Sequence, residues 1–151
     1  LFSLKNVVLN LILLCALHFT QLSVSAQPIS SDELINNAKL IDGKSVAYIG
    51  EVVGDIMIRG QYAWINLLDG KNAIGIWIGK DLVKDIAYTG NYKFKGDVVE
   101  VSGIFHRACL QHGGDLDIHA QSLTKRIAGR PILEHSRRAG APHNPRAAYV
   151  Q

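Results

Sequence analysis

The sequence predicts an all-β fold with short helices: five strands closed into a small barrel, an N-terminal helix, and a short helix between the third and fourth strands. Three observations carry that expectation. Apolar residues recur at every second position in five separate stretches between Lys44 and Leu123. Turn-forming runs, Asp69-Gly70-Lys71-Asn72 and His112-Gly113-Gly114, separate the second strand from the third and the fourth from the fifth. Five strands of this length must also bury one face and dispose of their edges, and closure into a barrel does both.

Ser30-Ser31-Asp32-Glu33 fits a capping box, in which Ser30 accepts from the backbone near Glu33 and Glu33 reaches back. Leu34, Ile35, Ala38 and Ile41 then fall on one helical face, and Gly43 is a natural stop. From Lys44 the period changes to two. Val46, Tyr48, Val52, Ile56 and Ile58 alternate along a long first strand, with Gly50 and Gly54 where a strand can coil sharply. The second strand runs from Tyr62 to Leu68 and the third from Ala73 to Ile78. After Gly79, the residues Leu82, Val83 and Ile86 predict the short helix, followed by a polar, tyrosine-containing loop to Gly96. The fourth strand, Asp97 to His106, turns Val99, Val101 and Phe105 inward, and the fifth, Asp115 to Leu123, does the same with Leu116, Ile118 and Ala120.

Helix, three strands, helix, two strands is an order that resembles the OB-fold, a Greek-key barrel. The residues that carry the resemblance are Asp42-Gly43-Lys44-Ser45-Val46 leading into Gly50-Glu51-Val52-Val53-Gly54, the run Ala63-Trp64-Ile65-Asn66-Leu67-Leu68-Asp69-Gly70, and Gly96-Asp97-Val98-Val99-Glu100-Val101-Ser102-Gly103. Between the fourth and fifth strands stands the run from Phe105-His106-Arg107-Ala108-Cys109 through His112-Gly113-Gly114-Asp115 to Ile118-His119-Ala120. With that segment the chain is similar to a group of exported bacterial single-OB-fold proteins, often labelled nucleic-acid-binding or DNA-binding by fold alone. The resemblance covers about residues 30 to 125 and implies an exported OB-fold with a binding role.

The chain has 151 residues, 48% hydrophobic and 19% charged, enough for one compact domain. That composition excludes collagen-like, wholly disordered and disulfide-scaffold classes. The net charge of +3 is unevenly placed. Residues 27–125 hold 10 Lys or Arg against 12 Asp or Glu, whereas residues 126–151 hold five Arg and one Glu. The basic balance therefore belongs to the end of the chain and is a weak argument for nucleic acid.

Lys5, the apolar run Val7 to Leu17 and the small residues Val24-Ser25-Ala26 predict a signal peptide over residues 1–26, cut before Gln27. The run falls short of the roughly 20 residues that a bilayer span requires, so an uncleaved anchor is the weaker reading. An exported, soluble domain over 27–125 would follow, with a basic, disordered tail over 126–151 able to contact anionic surfaces. Cleavage would remove Cys15 and leave Cys109 without an internal disulfide partner.

Two sets of residues could carry function. His106, Cys109, His112, Asp117 and His119 lie within one short segment. Parity places His106, Asp117 and His119 on the outer face of the last two strands, with the loop of Cys109 and His112 above them. A thiolate with imidazoles suits zinc or copper, or iron in a haem. The plainer reading packs Cys109 under the loop, with His112-Gly113-Gly114 as a turn. A thiol nucleophile served by His112 or His119 is a third reading, unsupported by any pocket signal. The second set is Tyr62, Trp64, Asn66 and Trp77, which point outward from strands two and three, with Trp64 opposite Trp77 for a symmetric turn. Such a face could stack single-stranded nucleic acid or an oligosaccharide, or dock a protein; equally it could be a cross-strand aromatic pair that stabilises the hairpin. No phosphate-loop motif surrounds the turn glycines, so nucleotide hydrolysis is not indicated. The sequence thus predicts a non-enzymatic binding module.

Overall fold

A computed structural model describes residues 27–132. The expected signal peptide and the tail beyond residue 132 lie outside the described residues. Among the described residues, no helix is long and apolar enough to cross a membrane.

The expected single helix is broken. Helix α1 spans Ser31–Asn36 and α2 spans Ala38–Ile41, separated at Asn37, whose φ of −104° and ψ of 15° leave the helical region. Asparagine hydrogen-bonds competitively with its own backbone, so two in succession are a weak place in a helix. Ser30 Oγ accepts from the Glu33 amide at 3.2 Å, as a capping residue should. The start of α1 is also fastened from outside: the Ser31 amide and hydroxyl donate to the Asp69 carboxylate at 2.7 and 2.8 Å. Leu34, fully buried, is the contact of α1 with the core.

Strands β1 (Ser45–Arg59), β2 (Tyr62–Leu68), β3 (Ala73–Gly79), β5 (Val98–Cys109) and β6 (Asp115–Ile127) make the sheet. Their order is β1-β2-β3-β6-β5, and β5 pairs back with β1, so the ladder closes on itself. All neighbours are antiparallel except β3 and β6, which run parallel. Strand β1 serves two partners, β5 along Ser45 to Glu51 and β2 along Glu51 to Arg59. At the crossing a Cβ on Gly50 would stand 2.9 Å from Leu67 Cβ, so only glycine permits the approach.

Beyond Gly54, at φ +71°, the register of β1 slips between Val53 and Met57. That bulge breaks the expected alternation. Ile56 is only partly buried and Ile58 is 53% exposed, while Val46, Tyr48 and Val52 keep to the core. Ile65, Leu67, Ile76, Val101, Phe105 and Ile118, all inaccessible to solvent, complete the packed interior. Each such side chain contributes about 1.5 to 3 kcal/mol relative to exposure.

The strands outrun their expected ends. β5 continues past His106 to Cys109, and β6 continues past Leu123 to Ile127. Two short strands follow the same logic, with β7 (Arg130–Pro131) paired to β4 (Phe94–Lys95). The ordered chain therefore extends past residue 125, where the basic tail was expected to begin. The cause is Asp97. Its buried carboxylate accepts from the Gly129 amide at 2.6 Å, the Ala87 amide at 2.7 Å and the Lys125 ammonium at 2.9 Å, drawing three segments together. The helix expected after Gly79 is a single 3-10 turn, Lys80–Val83, which buries Val83 but leaves Leu82 partly exposed.

Candidate metal centre

The β5–β6 hairpin ends in a second 3-10 turn, Leu110–His112, closed by Gly113 and Gly114 at φ of +75° and +89°. These two left-handed residues reverse the chain so that the loop folds back over the outer face of β6, as only glycine does readily. Beneath it, Gly103 lets β5 and β6 approach closely at His119. A Cβ there would fall on the His119 carbonyl oxygen and stand 2.6 Å from Ala120 Cα.

The result is convergence. One donor atom from each of Cys109, His112, Asp117 and His119 lies within 4.8 Å of every other. A tetrahedral shell with zinc–donor lengths of about 2.0 to 2.3 Å places its donors about 3.3 to 3.8 Å apart, so small side-chain rotations separate this arrangement from a closed site. Asp117 is fully buried. Its Oδ2 contacts His112 Nδ1 and lies 3.5 Å from His119 Nε2, while Oδ1 meets no donor among the described residues. An orphaned carboxylate oxygen in a buried site is costly unless a cation satisfies it.

Cys109 Sγ lies 3.4 Å from His119 Nε2, the same nitrogen that faces Asp117. This detail separates ligation from nucleophilic catalysis. A thiol–imidazole–carboxylate relay needs the acid on one ring nitrogen and the thiol on the other; here both converge on one atom, and Cys109 is buried. Burial, reinforced by His106 and His112 and opposed by Asp117, lowers the His119 imidazolium pKa below its ordinary value. The neutral imidazole is the metal-binding form.

Of the five residues expected to offer ligands, His106 stands outside the four-donor set. It faces Asp117 across the β5–β6 ladder, and its ring centroid is 4.5 Å from that of His119.

The four aromatic-face residues point outward as expected, and Trp64 pairs with Trp77. Their faces are largely occupied by one another and by the loop. Tyr62 stacks on Trp77 with centroids 5.0 Å apart, and His112 sits 4.6 Å from Trp77 and 5.1 Å from Trp64. Trp64 Nε1 donates to Asn66 Oδ1 at 3.3 Å, and its ring lies across Gly75, where a Cβ would displace it. The two candidate sites are therefore one place, with the indoles walling the His112 side of the cluster. The parallel β3–β6 ladder, which sets Trp77 beside His119, is what joins them. Met57, Arg59, Gln111 and Asp115, singled out by no ligand motif, line a cleft of about 520 Å³ against His112 and the indoles. Gly54, where a strand can coil sharply, is the one sequence signal that β1 changes direction there.

No protein-family model matches the chain, and no curated protein matches it. Among solved structures it is similar to a putative aspartyl-tRNA synthetase from Leishmania major Friedlin, 16% identical with a TM-score of 0.55 over 76% of this chain and 23% of that one. It is also similar to asparaginyl-tRNA synthetase from Pyrococcus horikoshii, 19% identical with a TM-score of 0.51 over 73% of this chain and 24% of that one. An OBody bound to hen egg-white lysozyme is 18% identical, with a TM-score of 0.50 over 70% of this chain and 99% of the other. The chain spans about a quarter of the length of the two synthetases. At these identities the likeness is one of fold, and the neighbours are OB-fold proteins.

Proposed function

We propose that this protein is an exported OB-fold binding module, not an enzyme, that holds a transition metal ion, zinc or copper, through Cys109, His112, Asp117 and His119. The observation that carries this reading is the convergence of a thiol, two imidazoles and a buried carboxylate on a single point. The orphaned Asp117 Oδ1 supports it, since a cation supplies the missing partner. A thiolate with two imidazoles is a borderline-soft donor set, better suited to zinc or copper than to magnesium or calcium. Zinc titration of the purified full chain, with elemental analysis for zinc and copper, is expected to find one ion per chain. Protein that is metal-free and takes up neither ion would overturn the proposal.

A second reading is favoured by the fold likeness and by Tyr62, which is 48% exposed on the aromatic face. In it, single-stranded nucleic acid or an oligosaccharide lies along Tyr62, Trp64, Asn66 and Trp77, with the tail arginines aiding on phosphate. One stacked base is worth about 1 to 3 kcal/mol, so Tyr62→Ala is expected to weaken retention of a single-stranded oligonucleotide about 5- to 150-fold. A gel shift that shows no retention at low salt removes this reading.

A further inference from the structure

If the cluster holds metal as proposed above, the surroundings of His119 show how the ion would come and go. The cluster is closed on most sides. The Asp117 side chain is wholly buried and that of His112 is 13% exposed, whereas that of His119 is 27% exposed and forms the open corner. A cleft of about 570 Å³ reaches this corner between Tyr62, Trp77, Gln111, His106 and His119.

His106 stands at that opening. Its ring lies 4.5 Å from the His119 ring, tilted by 59°, and among the described residues its side chain makes no hydrogen bond or ion pair. Among the described residues nothing therefore competes for its ring nitrogens at the mouth of this cleft. The β5–β6 ladder pairs from Val98 to Cys109, and Phe105 and Ile118 are fully buried on the opposite face of the sheet from the donors. A structural zinc site normally supplies the folding energy of a module that lacks a core of its own; this barrel has one, from Leu34 and Tyr48 to Phe105 and Ile118, made of none of the four donors, and that core is what would hold the domain together when the ion leaves.

We propose that His106 is a relay ligand, a fifth donor that holds the ion during arrival and departure at the His119 corner, and that the protein thereby carries metal in exchangeable form. Zinc expands from four to five ligands at modest cost, so exchange can proceed by adding His106 before His119 or Cys109 releases. The natural acceptor would offer thiolate or imidazole donors of its own. Because His106 acts on the path and not in the final shell, its removal slows uptake and release alike and leaves the equilibrium nearly unchanged.

The test is stopped-flow transfer of zinc from the loaded full chain to the chromogenic chelator pyridylazo-resorcinol, with zinc affinity measured in parallel. His106→Ala is expected to slow transfer about tenfold while changing affinity by less than about threefold, in contrast to the loss of affinity that follows removal of a supporting hydrogen bond. Free imidazole added to His106→Ala is expected to restore the rate, with a smaller effect on the wild type. His106→Gln, which keeps the bulk of the side chain, is expected to behave as His106→Ala and guards against misfolding as the cause. An unchanged transfer rate, or a rate that changes only in proportion to affinity, overturns the relay while leaving the four-ligand site intact. Failure of the wild-type chain to take up zinc overturns the site itself.

Discussion

Asp117→Asn and Cys109→Ala are each expected to weaken zinc binding by at least about a hundredfold, equivalent to about 2.7 kcal/mol. Both donors are buried, so water replaces neither easily, and each removes a negative ligand from a site whose remaining donors include two neutral imidazoles. The thermal consequence is direct. Wild-type protein at a free zinc concentration of 100 times Kd gains about 2.7 kcal/mol by linkage, whereas the variants gain almost nothing at the same concentration. Without metal, Asp117→Asn is expected to be no less stable than the wild type, because it removes a buried charge with an unpartnered oxygen. Calorimetric unfolding of both proteins with and without zinc measures all of this. Retention of stoichiometric, tightly bound zinc by Cys109→Ala would show that the thiol is not a ligand.

Asp97→Ala is expected to cost about 3 to 5 kcal/mol, the range for removing one member of a buried ion pair that also satisfies backbone donors. The substitution takes from the Lys125 ammonium its carboxylate partner, leaving it the Asp85 carbonyl and solvent, and leaves the Ala87 and Gly129 amides without their acceptor, so the loop before β5 and the chain after β6 lose their common anchor. Burial pushes the Asp97 carboxyl up, but the Gly129 amide, the Lys125 ammonium and the Ala87 amide together pull it below the ordinary carboxylate value. A carboxyl lowered in the folded state gives stability that is complete above its unfolded value and lost as pH falls through the folded one. The stability gap between wild type and Asp97→Ala, read from urea midpoints, is therefore expected to be full at neutral pH and to shrink only below about pH 4. A gap that stays constant into strong acid would mean that Asp97 acts through packing and not through charge.

The cluster of Cys109, His112, Asp117 and His119 is legible to an unusual degree because its members are close in sequence. Parity along β5 and β6 placed His106, Asp117 and His119 on the outer face, and the turn glycines placed Cys109 and His112 above it. What parity could not choose was the fourth ligand. His106 and Asp117 oppose each other in the ladder, and parity does not show the slips in register between Ser102 and Gly103 and between His106 and Cys109. A bulge adds a residue to one strand without changing local hydrophobic pattern, so it leaves little trace in the sequence. The break at Asn37 leaves no trace in the sequence pattern for a related reason, since the apolar spacing of Leu34, Ala38 and Ile41 survives a one-residue interruption.

By itself, the sequence determined the order and type of the main elements, the symmetric register of the β2–β3 hairpin, the inward face of most strands and the gathering of His, Cys and Asp residues in one short segment. These depend on neighbours in the chain, through side-chain period and turn chemistry. Only the tertiary structure decided that the aromatic face and the Cys/His/Asp cluster are one place, and that the fold runs on past residue 125. The first rests on the parallel pairing of β3 with β6, which sets Trp77 beside His119; the second rests on one buried carboxylate joining residues 87, 97, 125 and 129. Both are contacts between segments far apart along the chain, chosen by closure of the sheet and by the cost of leaving buried polar groups unpaired, and local pattern does not encode either.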